Sequence, residues 1–260
     1  MPKKILVFEN PFTLTNFLIR KWSSIGHASV ARHGHFNVAL TGGKTPIEFY
    51  CKLSNFDDSA LWPQTHIFLT DERFVGFDHA DSNFRMIKDL VTNYVSIPEG
   101  NIHPIVTYCE HAKIAASQYS KELRRFFHLE KDQFPRFDLI TLGVGVDGHI
   151  ASLFSDDIGL FEEQELAVAT SSVKHPHARV SLTLPVINNA RNVFVMAVGE
   201  SKAFALKHVL EGPSHLPAAK LNCQQGELIY LIDRDAARQL KLKQPFAHDG
   251  EAIVFEMSSY

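Results

Sequence analysis

The residues of this chain best placed to move a proton are Asp147 and His149, in the run Leu142-Gly143-Val144-Gly145-Val146-Asp147-Gly148-His149-Ile150-Ala151-Ser152-Leu153-Phe154. An imidazole changes charge near neutral pH and so can serve as a general base, while a carboxylate two residues away can orient the ring or pair with a neighbouring cation. Glycines free the backbone ahead of the pair, and a helix is expected to begin after it. A lone histidine is more often structural or solvated. This setting favours a functional role for His149 over every other histidine of the chain.

Three further segments could bind an anion. Leu40-Thr41-Gly42-Gly43-Lys44-Thr45-Pro46 follows an apolar run, and its glycines can aim backbone N–H groups at a phosphate at the start of a helix. An ordinary strand-to-helix turn is the alternative. Thr70-Asp71-Glu72-Arg73, followed by His79-Ala80-Asp81-Ser82-Asn83, sets an arginine between acids that could aim it at phosphate or carboxylate, or merely pair with it at the surface. Late in the chain come Arg179, ahead of Val180-Ser181-Leu182-Thr183, and Lys202 in Gly199-Glu200-Ser201-Lys202. Lys202 could bring its ammonium to the same edge as the glycine loop, although most lysines are simply solvated.

The elements that must position these residues follow from the hydrophobic pattern. Short apolar runs alternate with stretches of helical period, the arrangement of parallel strands joined by crossover helices. Strands are expected at 4–8, 36–40, 65–70, 138–142, 192–198 and 227–232. Helices are expected at 13–31, 45–53, 82–94, 109–128, 201–210 and 234–240, with Ser82 and Ser201 as caps and Pro46 in a first turn. Most of the apolar runs do not alternate, as in a sheet covered on both faces. In such a sheet ligands bind beyond the carboxyl ends of the strands, where all four segments fall.

Composition narrows the function classes. The 260 residues show no internal repeat or linker, and a single domain over 1–260 is the expectation. Lys and Arg total 26 against 29 Asp and Glu, so no overall positive field attracts nucleic acid or an acidic membrane. The three cysteines, Cys51, Cys109 and Cys223, are widely spaced and suggest neither a disulfide framework nor a zinc site. No run approaches the roughly 20 apolar residues needed to cross a bilayer, and the apolar run 5–8 is too short for a signal-peptide core. A cytoplasmic protein without a metal or other cofactor is expected, with a monomer favoured.

Taken in order, the segments resemble the 6-phosphogluconolactonase family, whose wider superfamily includes glucosamine-6-phosphate deaminases. The resemblance covers 40–221 and is strongest in TGGKTP at 41–46, TDERFV at 70–75 with DSN at 81–83, and FDLITLGVGVDGHIASLF at 137–154. RVSLT at 179–183, GESK at 199–202 and LPAAKL at 216–221 add weaker support. It implies an α/β, three-layer Rossmann-like fold without a nucleotide, with a mainly parallel sheet covered by helices on both faces. It also implies hydrolysis of 6-phospho-D-glucono-1,5-lactone, in the oxidative pentose phosphate pathway, with His149 as the catalytic base.

On the same resemblance, the substrate contacts are Thr41, Gly42, Gly43 and Lys44 of the glycine loop, with Arg73, Arg179 and Lys202. Lys44 departs from the family's usual Ser and Gly76 from its common Pro, which leaves the role of Lys44 open. Deaminases tend to continue after the His with Ala-Phe-Asn-Glu-Pro and to carry Asp-Glu-Tyr. This chain reads Ala151-Ser152-Leu153-Phe154 and Asp71-Glu72-Arg73, which favours the lactonase. A sugar-phosphate sensor that has kept the site without catalysis is the remaining alternative.

Overall fold

All five residues of Phe36–Leu40 are buried, as a strand covered on both faces requires. This is strand β2 of a computed structural model that describes residues 3–242, 245 and 247–257. The principal sheet has nine strands, in the spatial order β11 (Ala247–Asp249), β12 (Ala252–Met257), β1 (Lys3–Phe8), β10 (Glu227–Asp233), β9 (Asn192–Ala197), β6 (Leu139–Gly143), β2, β3 (Thr65–Leu69) and β5 (Ile102–His103). From β1 to β5 every neighbouring pair is parallel, while β12 and β11 close one edge antiparallel. Flanking helices are α1 (Pro11–His33), α2 (Ile47–Leu53), α3 (Asn83–Ile87), α4 (Ala112–Phe126), α5 (Leu184–Asn188), α6 (Ala203–Leu210) and α7 (Arg234–Ala237).

Local chemistry sets several boundaries. Asn10 and Thr13 cap α1 reciprocally, Pro11 opens it, and Gly34 ends it at φ 83°. Ser82 caps α3 by accepting from the Arg85 N–H, as expected. Ser201 does not cap α6, because residues Glu200–Lys202 form a 3₁₀ turn and the helix begins only at Ala203. The helix expected over 82–94 divides after Ile87, where hydrogen bonding shifts to π spacing and the Asn93 N–H reaches the Lys88 carbonyl at 3.1 Å.

The helix expected directly after His149 does not form. Val144 pairs with Ile150 and Ile150 with Leu153 as isolated bridges, and Ala151 sits at φ 46°, a left-handed conformation that no helix accommodates. A second sheet also lies outside the sequence expectation. It orders β4 (Asp71–Arg73), β8 (His175–Leu182) and β7 (Ala167–Ser172), all antiparallel. Its first strand has three residues, too few for a periodic signal. The buried apolar side chains of both sheets join one core cluster.

Candidate active site

Strands β9, β6, β2 and β3 are consecutive and parallel in the principal sheet. Their carboxyl ends therefore meet at one edge, each followed by one of the segments picked out from sequence. Lys202 follows β9, Asp147 and His149 follow β6, the glycine loop follows β2, and Arg73 follows β3. Strand β8 lies against β4 so that Arg179 pairs in register with Arg73.

The loop after β6 is closed by the Gly145 N–H donating to the His149 carbonyl (2.8 Å) and the Gly148 N–H donating to the Gly145 carbonyl (3.0 Å). Within it Nδ1 of His149 lies 2.5 Å from Oδ1 of Asp147. A Cβ on Gly145 would come within 2.1 Å of that His149 nitrogen and 2.5 Å of the Asp147 oxygen. Glycine is what leaves room for the pair. Gly148 takes φ 79°, and there a Cβ would also strike Leu216. The hydrogen bond from His149, opposed by partial burial, holds the Asp147 carboxyl far below its usual range. Asp147 is therefore ionised throughout the neutral range, and with Nδ1 of His149 committed to it, Nε2 is left to face a ligand.

Arg73 and Arg179 lie side by side on neighbouring strands. Nη1 of Arg73 donates to the Asp81 carbonyl at 2.6 Å, and Nη1 of Arg179 reaches the Ser152 hydroxyl at 3.4 Å. The Nε of each is buried without a hydrogen-bond partner among the described residues. Two neighbouring guanidinium N–H groups left unpaired in this way favour an incoming anion, because an unpaired buried donor is costly. Burial, and then the charge of Arg73, pull the pKa of Arg179 down.

The acids of the Asp-Glu-Arg segment do not aim Arg73 directly. Asp71 accepts from the Ser152 hydroxyl at 2.6 Å. Glu72 is wholly buried and accepts from the Arg73, Asn83 and Phe84 N–H groups and from the Ser82 hydroxyl. It anchors the backbone under the arginine. Burial raises its pKa, against those four donors.

The glycine loop divides in function. Thr41 is buried, with its N–H on Thr141 and its carbonyl accepting from Tyr50 at 2.6 Å, so it supports the loop from behind. Gly42 is required because a Cβ there would overlap the Asn83 side chain, and Gly43 takes φ 88°. Lys44 is exposed. With Lys202 it lines a cavity of about 680 Å³ between the start of α1, the glycine loop and the end of β9. Burial lowers the pKa of Lys202, and the charge of Asp147 opposes that. Of the expected site residues, Lys44 is the one furthest from being enclosed.

Sequence reasoning missed His175. It reaches the site from β8, with Nε2 3.8 Å from Oδ2 of Asp147, and it stacks on Phe154, which also packs against His149 and Arg179. The alternation His175, His177, Arg179 is the signal that could have found it, since i, i+2 and i+4 share one face of a strand. Asp147, His149 and His175 offer donor atoms within 4.8 Å of one another, near enough to hold a metal ion. Chain spacing hides such a group because its members come from a loop and a distant strand. Two of the donors, on Asp147 and His149, already bond each other at 2.5 Å, and His175 stands beside that pair.

An open parallel sheet with a carboxylate-bonded histidine and paired arginines at its carboxyl edge defines an α/β protein suited to a small anionic ligand. The comparisons with known proteins are specific. The family of glucosamine-6-phosphate isomerases/6-phosphogluconolactonase matches residues 9–230, and the chain belongs to it. A 6-phosphogluconolactonase of Synechocystis sp. is 39% identical over 216 residues, covering 82% of this chain and 88% of that protein. The probable 6-phosphogluconolactonase 1 of Arabidopsis thaliana is 35% identical over 252 residues, covering 91% and 93%. The solved 6-phosphogluconolactonase from Trypanosoma cruzi superposes with a TM-score of 0.84 at 28% identity, covering 93% of this chain and 97% of that one.

Proposed function

We propose that this chain hydrolyses 6-phosphogluconolactone to 6-phosphogluconate with His149 as general base. The observation that carries the reading is the 2.5 Å contact between His149 and Asp147 beside two guanidinium groups whose buried Nε–H donors are unpaired among the described residues. Arg73, Arg179 and Lys202 hold the phosphate, with backbone N–H groups of the glycine loop, and Lys44 borders the entrance. The clamped phosphate fixes the lactone carbonyl against the base, converting an encounter into a positioned reaction.

In the reaction a water molecule gives a proton to Nε2 of His149 as its oxygen attacks the lactone carbonyl. The imidazolium that forms is held by ionised Asp147. The tetrahedral intermediate then expels the ring oxygen, which takes the proton back from His149. The product carries the hydroxyl and the carboxyl that the ester bond had joined, and the carboxyl releases its proton to solvent as the carboxylate. No covalent nucleophile is needed, since a six-membered lactone is already electrophilic, and the reading includes no cofactor or metal. It takes the enzyme to act in the cytoplasm, as a monomer, on a free small-molecule lactone, with no nucleic acid or membrane partner. Among the described residues no helix is long and apolar enough to cross a membrane.

The test follows freshly generated 6-phosphogluconolactone, with its spontaneous hydrolysis subtracted, in parallel with ammonia release from glucosamine 6-phosphate. Accelerated lactone loss without ammonia supports the reading. Ammonia release would make the chain a deaminase, and neither activity would leave a sugar-phosphate sensor. Dialysis against a strong chelator is expected to leave the lactonase rate unchanged.

A further inference from the structure

His175 presents a buried nitrogen with nothing to bond. Its Nε2 has no hydrogen-bond partner among the described residues, yet it faces Oδ2 of Asp147 at 3.8 Å. That oxygen accepts no hydrogen bond from the described residues either, because those to Asp147 from the His149 ring and from the His149 N–H both end on Oδ1. A complementary donor and acceptor thus stand about 0.6 Å beyond the usual hydrogen-bonding range. The ring is held by its stack on Phe154, at 4.9 Å and 30°, and meets His149 edge to face at 5.3 Å. Asp147 is carried between Gly145 and Gly148 in a loop whose Val146 is 62% exposed. The carboxylate is the side able to move.

We propose that His175 is a positioning residue for the catalytic pair: in its Nε2–H tautomer it donates to Oδ2 of Asp147 when the site closes on substrate, fixing the carboxylate that holds His149. This rests on the assignment of His149 as base. The groups facing His175 are Asp147 and His149 from the loop after β6 and Arg179 from its own strand. Burial first, then the charges of His149 and Arg179, lower its pKa, which favours the neutral ring that the hydrogen bond needs. A carboxylate gripped at one oxygen can still rotate about its Cβ–Cγ bond, whereas one gripped at both cannot. His149 then meets water in one orientation, and the gain appears in kcat.

The experiment measures kcat and KM for His175→Ala, His175→Phe and His175→Gln, each made also in a His149→Ala background. Phe keeps an aromatic ring for Phe154 but has no N–H, and Gln keeps a donor but no aromatic ring. The proposal expects Ala and Phe to lower kcat about tenfold, on the scale of losing a partner that orients a functional ligand, with KM within about twofold. Gln should recover most of that loss. In the His149→Ala background the same substitutions should change kcat by less than about twofold, since their effect runs through the missing imidazole. Wild-type kcat in His175→Phe would overturn the proposal, leaving only a stacking role, and so would equal losses in both backgrounds. Wild-type kcat in His149→Ala alone would remove the base assignment and this proposal with it.

Discussion

His149 bonds Asp147 at 2.5 Å, and His103 bonds Glu122 at 3.0 Å, so two of the molecule's imidazole–carboxylate pairs can be set side by side. Their surroundings differ. Nε2 of His103 is already committed to Nδ1 of His66 at 3.1 Å, and its ring lies flat on Phe68 at 4.1 Å and 6°. Both nitrogens are used, and the neighbouring cation, Arg125, is spent on Glu122 at 2.8 Å. At the carboxyl edge of the sheet, by contrast, His149 uses only Nδ1, and Arg73, Arg179 and Lys202 supply unpaired or half-buried positive charge. An imidazole–carboxylate pair becomes a catalytic group when one nitrogen is left free and the neighbours can hold a substrate in front of it.

The comparison breaks most visibly on rate. His149→Ala should lower kcat by about 10² to 10⁴, the usual contribution of a positioned acid or base. His103→Ala should leave kcat within about twofold. Its cost should instead appear in urea unfolding, as about 1–3 kcal/mol of lost stability, because it empties a stacked core position. A large kcat loss at His103 would mean that the two pairs have been told apart wrongly.

Next in size is the anion clamp. A charge-assisted hydrogen bond is worth about 1.5–3 kcal/mol, so Arg73→Ala and Lys202→Ala should each reduce kcat/KM by roughly tenfold to a few hundredfold. Inhibition by inorganic phosphate and by 6-phosphogluconate should weaken in parallel. Unchanged affinity and unchanged inhibition in both variants would assign the phosphate to other residues.

The smallest effect sharpens the contrast from the other side. Burial, and then the neighbouring His103 and His35, pull the pKa of His66 down to about 4. A base whose folded pKa lies below its unfolded value of about 6.5 binds protons more readily when unfolded. Its contribution is complete above that value and is lost as the pH falls towards 4. His66 is only half-buried, so the loss should be about 1–2 kcal/mol between pH 7.5 and 4.5, read by urea unfolding. His66→Phe should flatten that part of the curve, and an equally steep curve in the variant would place the acid sensitivity elsewhere.

Much of this arrangement is legible in the chain. The runs that became β2, β3, β6, β9 and β10 are apolar without alternation, and their ends fall within about a residue of expectation, because burial on both faces leaves a plain hydrophobic signature. The segments after four of them carry the glycine loop, Asp147, His149, Arg73 and Lys202 that meet at one edge. What the chain conceals is pairing at a distance. The register of Arg179 with Arg73 depends on β4, which has three residues, and on β8, whose outer half mixes polar and apolar side chains. His175 enters through that same strand. The expected helix after His149 fails for a different reason, since the loop spends its backbone hydrogen bonds on itself and turns at Ala151.

The central claim is that His149 acts through its basicity and not merely through its polarity. His149→Asn keeps a polar side chain able to hydrogen-bond but cannot accept the proton from water. The decisive measurement is its background-subtracted kcat on freshly generated lactone, taken alongside a thermal unfolding curve that shows the variant folded. A kcat nearly as low as that of His149→Ala, with KM close to wild type, is the predicted result. A folded His149→Asn enzyme with kcat close to wild type would contradict it, and would leave His149 as a residue that only positions the site.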